Sequence, residues 1–195
     1  MSLSLSMAAF ALASSISPGP VNIGALNAGA RHGLPASLWH VTGATAGFTL
    51  LLVLTGFGLH ELLALWPGLT RAIQWAGVAF LLYLAWRLAR DNGALGSAAG
   101  SRPPSLLGGA AMQWLNPKAW LACVAGMGAF AADGDSARIW LFAVIYFVVC
   151  YLSIACWAWA GSLIRRHLEH PARVRLFNRG LALLLVGCAA YLVAG

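Results

Sequence analysis

Hydrophobic positions in this chain run continuously rather than alternating with polar ones. Six apolar segments can be drawn, at about residues 3–30, 36–59, 69–88, 106–131, 139–164 and 176–193. Most are near the ~20 residues whose helix crosses ~30 Å of hydrocarbon. A closed β-barrel would alternate inward and outward positions, so the pattern predicts an all-α integral membrane protein with six transmembrane helices. The longest linker, about residues 89–105, is rich in Gly, Ala, Ser and Pro and reads as a flexible connection.

The first segment carries an internal break. Within Ser17-Pro18-Gly19-Pro20-Val21-Asn22, Pro18 cannot donate to the carbonyl of Ser14, nor Pro20 to that of Ile16. A new helix is expected to start with Gly19 as cap and Pro20 in its first turn, presenting free N–H groups and a positive dipole end. Asn22 adds a neutral donor and acceptor nearby. The fourth segment has a counterpart in Leu115-Asn116-Pro117-Lys118, where Asn116 caps and Pro117 opens a helix. Lys118 is the only lysine, set in an apolar run where a charge is expensive and usually functional. The bland alternatives are a packing kink at the prolines and a lysine that snorkels to the interface.

The two halves echo each other. A shift of 99 positions lays Pro18 on Pro117 and Gly29 on Gly128, and a shift of 103 lays Gly77 on Gly180. One transmembrane domain, 1–195, is therefore expected, with repeat 1 at about 1–90 and repeat 2 at about 106–195. Three crossings per unit give the units opposite orientation, an inverted repeat common in secondary transporters.

Composition sharpens the class. Of 195 residues 61% are hydrophobic and 9% charged, too apolar for a soluble domain. Twelve Lys/Arg against five Asp/Glu give a net charge of +7. These charges lie between apolar segments, so anionic lipid and topology account for them rather than nucleic acid. The loops after segments one, three and five hold Arg31; Arg87, Arg90 and Arg102; and Arg165, Arg166, Arg173, Arg175 and Arg179. The opposite side holds Arg71 and Arg138 with Glu61, Asp133 and Asp135. The bias puts the odd loops in the cytoplasm and both termini in the periplasm. A small-x-small pattern at Ala11-Leu12-Ala13 has no basic residue ahead of it, so cleavage of a leader there is not expected.

Other motifs read as structure. Gly43-Ala44-Thr45-Ala46-Gly47 is a GxxxG pattern for close helix packing, in the core or in a homodimer contact. Trp39, Trp66, Trp75, Trp86, Trp114 and Trp140 fall near segment ends, as an interfacial belt would. Cys123, Cys150, Cys156 and Cys188 lack metal or disulfide spacing and read as packing residues. His32, His40 and His60 are scattered singles, read as interfacial. Asp133-Gly134-Asp135-Ser136-Ala137-Arg138 opens the signature of membrane CDP-alcohol phosphotransferases. That signature requires Gly, Asp and Asp at positions 147, 151 and 155, where the chain offers Phe147, Tyr151 and Ala155. Without those carboxylates no metal cage forms, so the hexapeptide reads as a solvated turn. No catalytic constellation is complete, and no metal or cofactor site is expected.

These residues together resemble the lysine exporter and homoserine/threonine exporter family, LysE/RhtB, over nearly the whole chain. The resemblance is carried by Ser17-Pro18-Gly19-Pro20, Arg31-His32-Gly33, Gly43 and Gly47, Trp75-Ala76-Gly77, Tyr83-Leu84-Ala85-Trp86, Leu115-Asn116-Pro117-Lys118-Ala119 and the basic stretch before the last span. Length and segment pattern look most like the branch that exports cysteine and O-acetylserine. The resemblance implies export of amino acids or close derivatives across the bacterial inner membrane, driven by an ion gradient. The family often has Asn directly after Pro-Gly-Pro; here Val21 intervenes and the amide is Asn22. The family's frequent Pro-Gln after the fourth span is replaced by Ala131 and Ala132.

The expected site lies between the halves. The helices that restart at Gly19-Pro20 and at Asn116-Pro117, with Asn22 nearby, would present N–H groups and Lys118 to a substrate carboxylate, and the carbonyls freed at Ser14 and Ile16 by Pro18 and Pro20 would meet its ammonium. No carboxylate lies far inside a segment, which favours a small neutral amino acid over a dibasic one. The same absence leaves the coupling proton, or other coupling ion, without an acidic carrier. Three alternatives stand beside the exporter: a membrane enzyme, a structural or partner-binding membrane protein, and an exporter of another small solute.

Overall fold

A computed structural model describes residues 2–59, 65, 67–90, 103–165 and 170–194. Glu61, Asp91, Glu169, Arg102, Arg166, His60, Trp66 and most of the linker lie outside the described residues. Among the described residues seven α-helices follow in order: α1 Leu3–Ile16, α2 Pro20–Leu54, α3 Pro67–Ala89, α4 Leu106–Trp114, α5 Pro117–Phe130, α6 Ser136–Ile164 and α7 Pro171–Ala194. A π turn, Thr55–Leu59, ends α2. Among the described residues there is no strand.

Both expected breaks are present, with α1 ending before Pro18 and α4 ending before Pro117. The apolar segments at 3–30 and 36–59 meet inside α2, where Gly33 has φ 78° and ψ 169°. Only glycine adopts that conformation without strain. Pro35, in the first turn beyond, has no N–H to lose. The helix thus folds back at the sequence boundary, and Ser37 Oγ donates to the Gly33 carbonyl at 2.8 Å.

The central layer is α2 packed on α6, with α1 on one side and α4 on another. Gly33 lies beside the Arg165 guanidinium at the end of α6, and Gly56 lies against Ile139 at its start. The main core joins Met7, Val41, Phe48, Leu51, Phe142 and Tyr146. A second cluster, including Ile23, Leu26, Val78, Leu81 and Leu185, docks the α3–α7 pair onto the first half of α2.

The outward surface is apolar. Along α6, Leu141, Val144, Val148 and Leu152 are exposed, which water would penalise and lipid tails would not. Two stretches, Pro20–Gly58 and Ser136–Ile164, are long and apolar enough to cross a bilayer; Leu3–Ile16 and Trp75–Ala89 are shorter apolar helices.

The structural motifs resolve mostly as expected, with Trp114 and Cys156 the exceptions. The GxxxG stripe is used inside the chain: a Cβ on Gly43 would strike the Leu106 backbone, and one on Gly47 would sit 2.8 Å from Ala110 Cα. Trp39, Trp75, Trp86 and Trp140 face outward as a belt requires. Trp114 instead turns inward and donates from Nε1 to the Gly47 carbonyl at 3.1 Å. Cys156 is exposed rather than packed. The Asp133–Arg138 hexapeptide is a solvated turn, with Arg138 bridging Asp133 at 3.1 Å and Asp135 at 3.4 Å.

Candidate functional site

Local chemistry fixes each break. A residue before proline is pushed away from helical angles. Ser17 and Gly19, which precede Pro18 and Pro20, are accordingly extended, at ψ 141° and ψ 174°. Asn116, before Pro117, is extended as well, at φ −100° and ψ 104°. Its side-chain oxygen accepts from the Lys118 N–H at 3.2 Å, so Asn116 caps α5 as expected. Gly19 caps α2 through its backbone alone, with Pro20 in the first turn.

Carbonyls released at the first break need donors, because an unpaired buried carbonyl costs free energy comparable to a lost hydrogen bond. Each has one. Ser17 Oγ donates to the Ser14 carbonyl at 3.2 Å, and Trp157 Nε1 to that of Ile16 at 3.0 Å. Asn22 Nδ2 donates to the Ser15 carbonyl at 2.9 Å and to the Ser17 carbonyl at 2.8 Å. The Ser14 and Ile16 carbonyls, expected to meet a substrate ammonium, are therefore engaged within the protein in this state.

Lys118 joins the two breaks. Its Nζ donates to the Ser17 carbonyl at 2.9 Å, to Ser17 Oγ at 2.7 Å and to the Pro18 carbonyl at 3.3 Å. Residues 101 positions apart in sequence thus share one ammonium. The side chain does not snorkel outward; it is half-buried and turned toward the first break.

A cavity of about 40 Å³ lies at this junction. Ser14, Gly19, Asn22, Asn116 and Lys118 line it, so five of the nine expected site residues come together there. Pro18, Pro20, Pro117 and Ile16 shape the surrounding breaks and do not line it. Ser15, Gln113, Phe48, Tyr146 and Cys150 also line it and escaped the sequence reading. Gln113 stands three residues before Asn116, one helical turn away, and its Oε1 accepts from Asn116 Nδ2 at 3.4 Å, so that one was within reach. Tyr146, Cys150 and Phe48 carried no signal, being ordinary members of apolar runs.

The electrostatics favour an anion. The N-termini of α2 and α5 both begin at the cavity, each with a partial positive charge, and the Lys118 ammonium adds a full one. No carboxylate lines it. At roughly 10–15 Å³ per water the space holds about three waters, less than any amino acid, so substrate needs the halves to part or Lys118 to swing away.

Asn22 is the test of this accounting. Replacing it with Ala leaves the Ser15 and Ser17 carbonyls one donor short, at about 1–3 kcal/mol. The thermal midpoint of the detergent-solubilised Asn22→Ala protein is expected to fall by several degrees. An unchanged midpoint would mean that other groups satisfy those carbonyls.

The family model described as LysE type translocator matches residues 12–195. The chain is 30% identical to a cysteine/O-acetylserine efflux protein of Salmonella typhimurium over 182 residues, covering 92% of both chains. It is 30% identical over 186 residues to proteins of the same description from Klebsiella pneumoniae, covering 94% of this chain and 93% of the relative, and from Escherichia coli K12, covering 92% of each. No solved structure matches.

Proposed function

Because the chain belongs to the LysE type translocator family of multi-pass inner-membrane transporters, we propose that it is a secondary exporter of small neutral amino acids or their derivatives, driven by an ion gradient. The relatives are described as cysteine/O-acetylserine efflux proteins, and cysteine, O-acetylserine, homoserine and threonine are the substrates to test first. The observation that carries the reading is the Lys118 ammonium shared between the two helix breaks, over a cavity with no carboxylate.

In this reading the chain forms six spans in two inverted repeats. Residues 3–30, broken at Pro18 to Pro20, form the first span, and α4 with α5 the fourth. The odd loops face the cytoplasm and both termini the periplasm. Substrate carboxylate displaces the Ser17 and Pro18 oxygens from Lys118, and the N-terminal turns of α2 and α5 add backbone N–H groups. A released Ser17 carbonyl then becomes an acceptor for the substrate ammonium. Lack of a carboxylate disfavours a cationic side chain, because burying an unpaired charge is expensive.

Counterflow in proteoliposomes against labelled cysteine, O-acetylserine, homoserine, threonine and lysine, with and without an imposed pH gradient, tests it. Uptake of one or more neutral members, accelerated by the gradient, and no lysine uptake are expected. Failure to move any member would favour a structural or enzymatic role.

A further inference from the structure

A second cavity opens on the side of Gly33, between the first half of α2, α3 and α4. Its volume is about 230 Å³, against about 40 Å³ at the breaks. Arg31, His32, Asn27, His40 and Arg87 supply its polar lining, and Pro20 forms part of its wall. Pro20 also belongs to the first break, so the larger cavity ends one residue from Gly19 and Val21 of the smaller.

Three observations mark it as a built site. The described lining holds two guanidinium groups and two imidazoles and no acid. His40 is only 6% exposed, leans on the Val21 backbone, and buries Nε2 with no partner at hydrogen-bond distance. A buried polar atom without a partner is costly, and one that lines a cavity is satisfied by what enters it. Gly24 stands beside it, where a Cβ would lie 3.5 Å from His40 Nε2 and 2.9 Å from Met112 Sδ, so a side chain there would crowd this wall.

We propose that this cavity is a loading site that holds a small amino acid by its carboxylate before it reaches the breaks. The Arg87 guanidinium is the charge partner for the carboxylate, and His40 Nε2 gives direction at the buried end. The attraction comes from the Arg87 guanidinium, which keeps its charge. A carboxylate in a partly buried cavity is screened less than one on an open surface, so occupancy there concentrates substrate next to Lys118. The inference rests on the exporter reading for its purpose and not for its chemistry.

Transport and binding together test it. In membrane vesicles of both orientations, Arg87→Gln and His40→Leu are expected to raise the KM for substrate presented at the Arg31 face by tenfold or more. KM at the opposite face should stay unchanged, a split that a general folding defect would not produce, and Arg87→Lys should restore most of the affinity. Equilibrium binding of labelled propionate to the detergent-purified protein gives a second readout. Binding to the native protein that Arg87→Gln weakens tenfold supports the site. If the native protein transports while both variants keep the native KM at both faces and native propionate binding, the loading site is overturned and the exporter stands. If it binds propionate through Arg87 and transports no amino acid, the exporter reading falls and the site stands. Absence of both activities removes both.

Discussion

Lys118→Ala is expected to cut substrate counterflow at least tenfold while leaving membrane insertion and abundance near native. The side chain makes three contacts across the breaks, to the Ser17 carbonyl, Ser17 Oγ and the Pro18 carbonyl. Hydrogen bonds to charged groups contribute about 1.5–3 kcal/mol each, but removing the whole side chain also removes the cost of holding an ammonium in a half-buried place. The Ser17 carbonyl keeps Asn22 Nδ2 as a donor, so the loss of stability is small. Transport has no such compensation. One lost charge-assisted contact to a substrate carboxylate corresponds to roughly 10–100-fold in affinity. Initial counterflow rates measured against protein content check this, and a native rate would move the site away from Lys118.

The second large effect is on folding. Gly29 and Gly161 face each other's helices: a Cβ on Gly29 would strike the Ala158 carbonyl, and one on Gly161 would strike the Leu26 carbonyl. The obstacles are backbone atoms, which cannot rotate away as a side chain can. Overpacking a core typically costs about 1–3 kcal/mol, and forcing two helix backbones apart belongs at the top of that range or beyond. Gly29→Ala and Gly161→Ala are each expected to lower the thermal midpoint by many degrees and to reduce the amount of protein in the membrane severalfold. Gly128→Ala is the control, because nothing lies within 4 Å of a Cβ there. Equal stability of the Gly29 and Gly128 variants would show that α2 and α6 are not in backbone contact.

That pair also limits what the internal repeat conveys. Gly29 and Gly128 occupy matching places when the halves are shifted by 99 positions, yet one is clamped against α6 and the other is open. Gly77 and Gly180, matched at a shift of 103, differ in the same way: Gly77 lies against Leu115 and Pro117, and Gly180 against nothing. Only Pro18 and Pro117 keep equivalent roles, each at a helix break. A proline acts on its own backbone, whereas a glycine acts through whatever approaches it.

His40 makes the same point for the site. In sequence it is a lone histidine in an apolar run and reads as interfacial. In the structure it is buried, with Nε2 unpartnered, on the wall of a cavity whose other polar walls come from α3 and the first half of α2. No local pattern around residue 40 encodes Arg87, 47 positions away. The same holds for Trp157, whose indole closes the account of the first break from another helix.

The sequence by itself determined whatever depends on bonds within a few residues. The continuous apolar runs require helices, because a backbone in lipid must satisfy its own hydrogen bonds. Pro18, Pro20 and Pro117 remove N–H groups and bar helical angles at the residues before them, so both breaks and both caps could be placed to the residue. Tertiary structure alone decided which donors reach the freed carbonyls, that Lys118 crosses from one break to the other, and that the central cavity is small while the one beside it is large. Those outcomes depend on how closely α2 and α6 approach and on which side chains then fall within hydrogen-bonding reach. That reach is set by packing between residues far apart in sequence, 101 positions for Lys118 and Ser17 and 141 for Trp157 and Ile16, which no local pattern in the chain records.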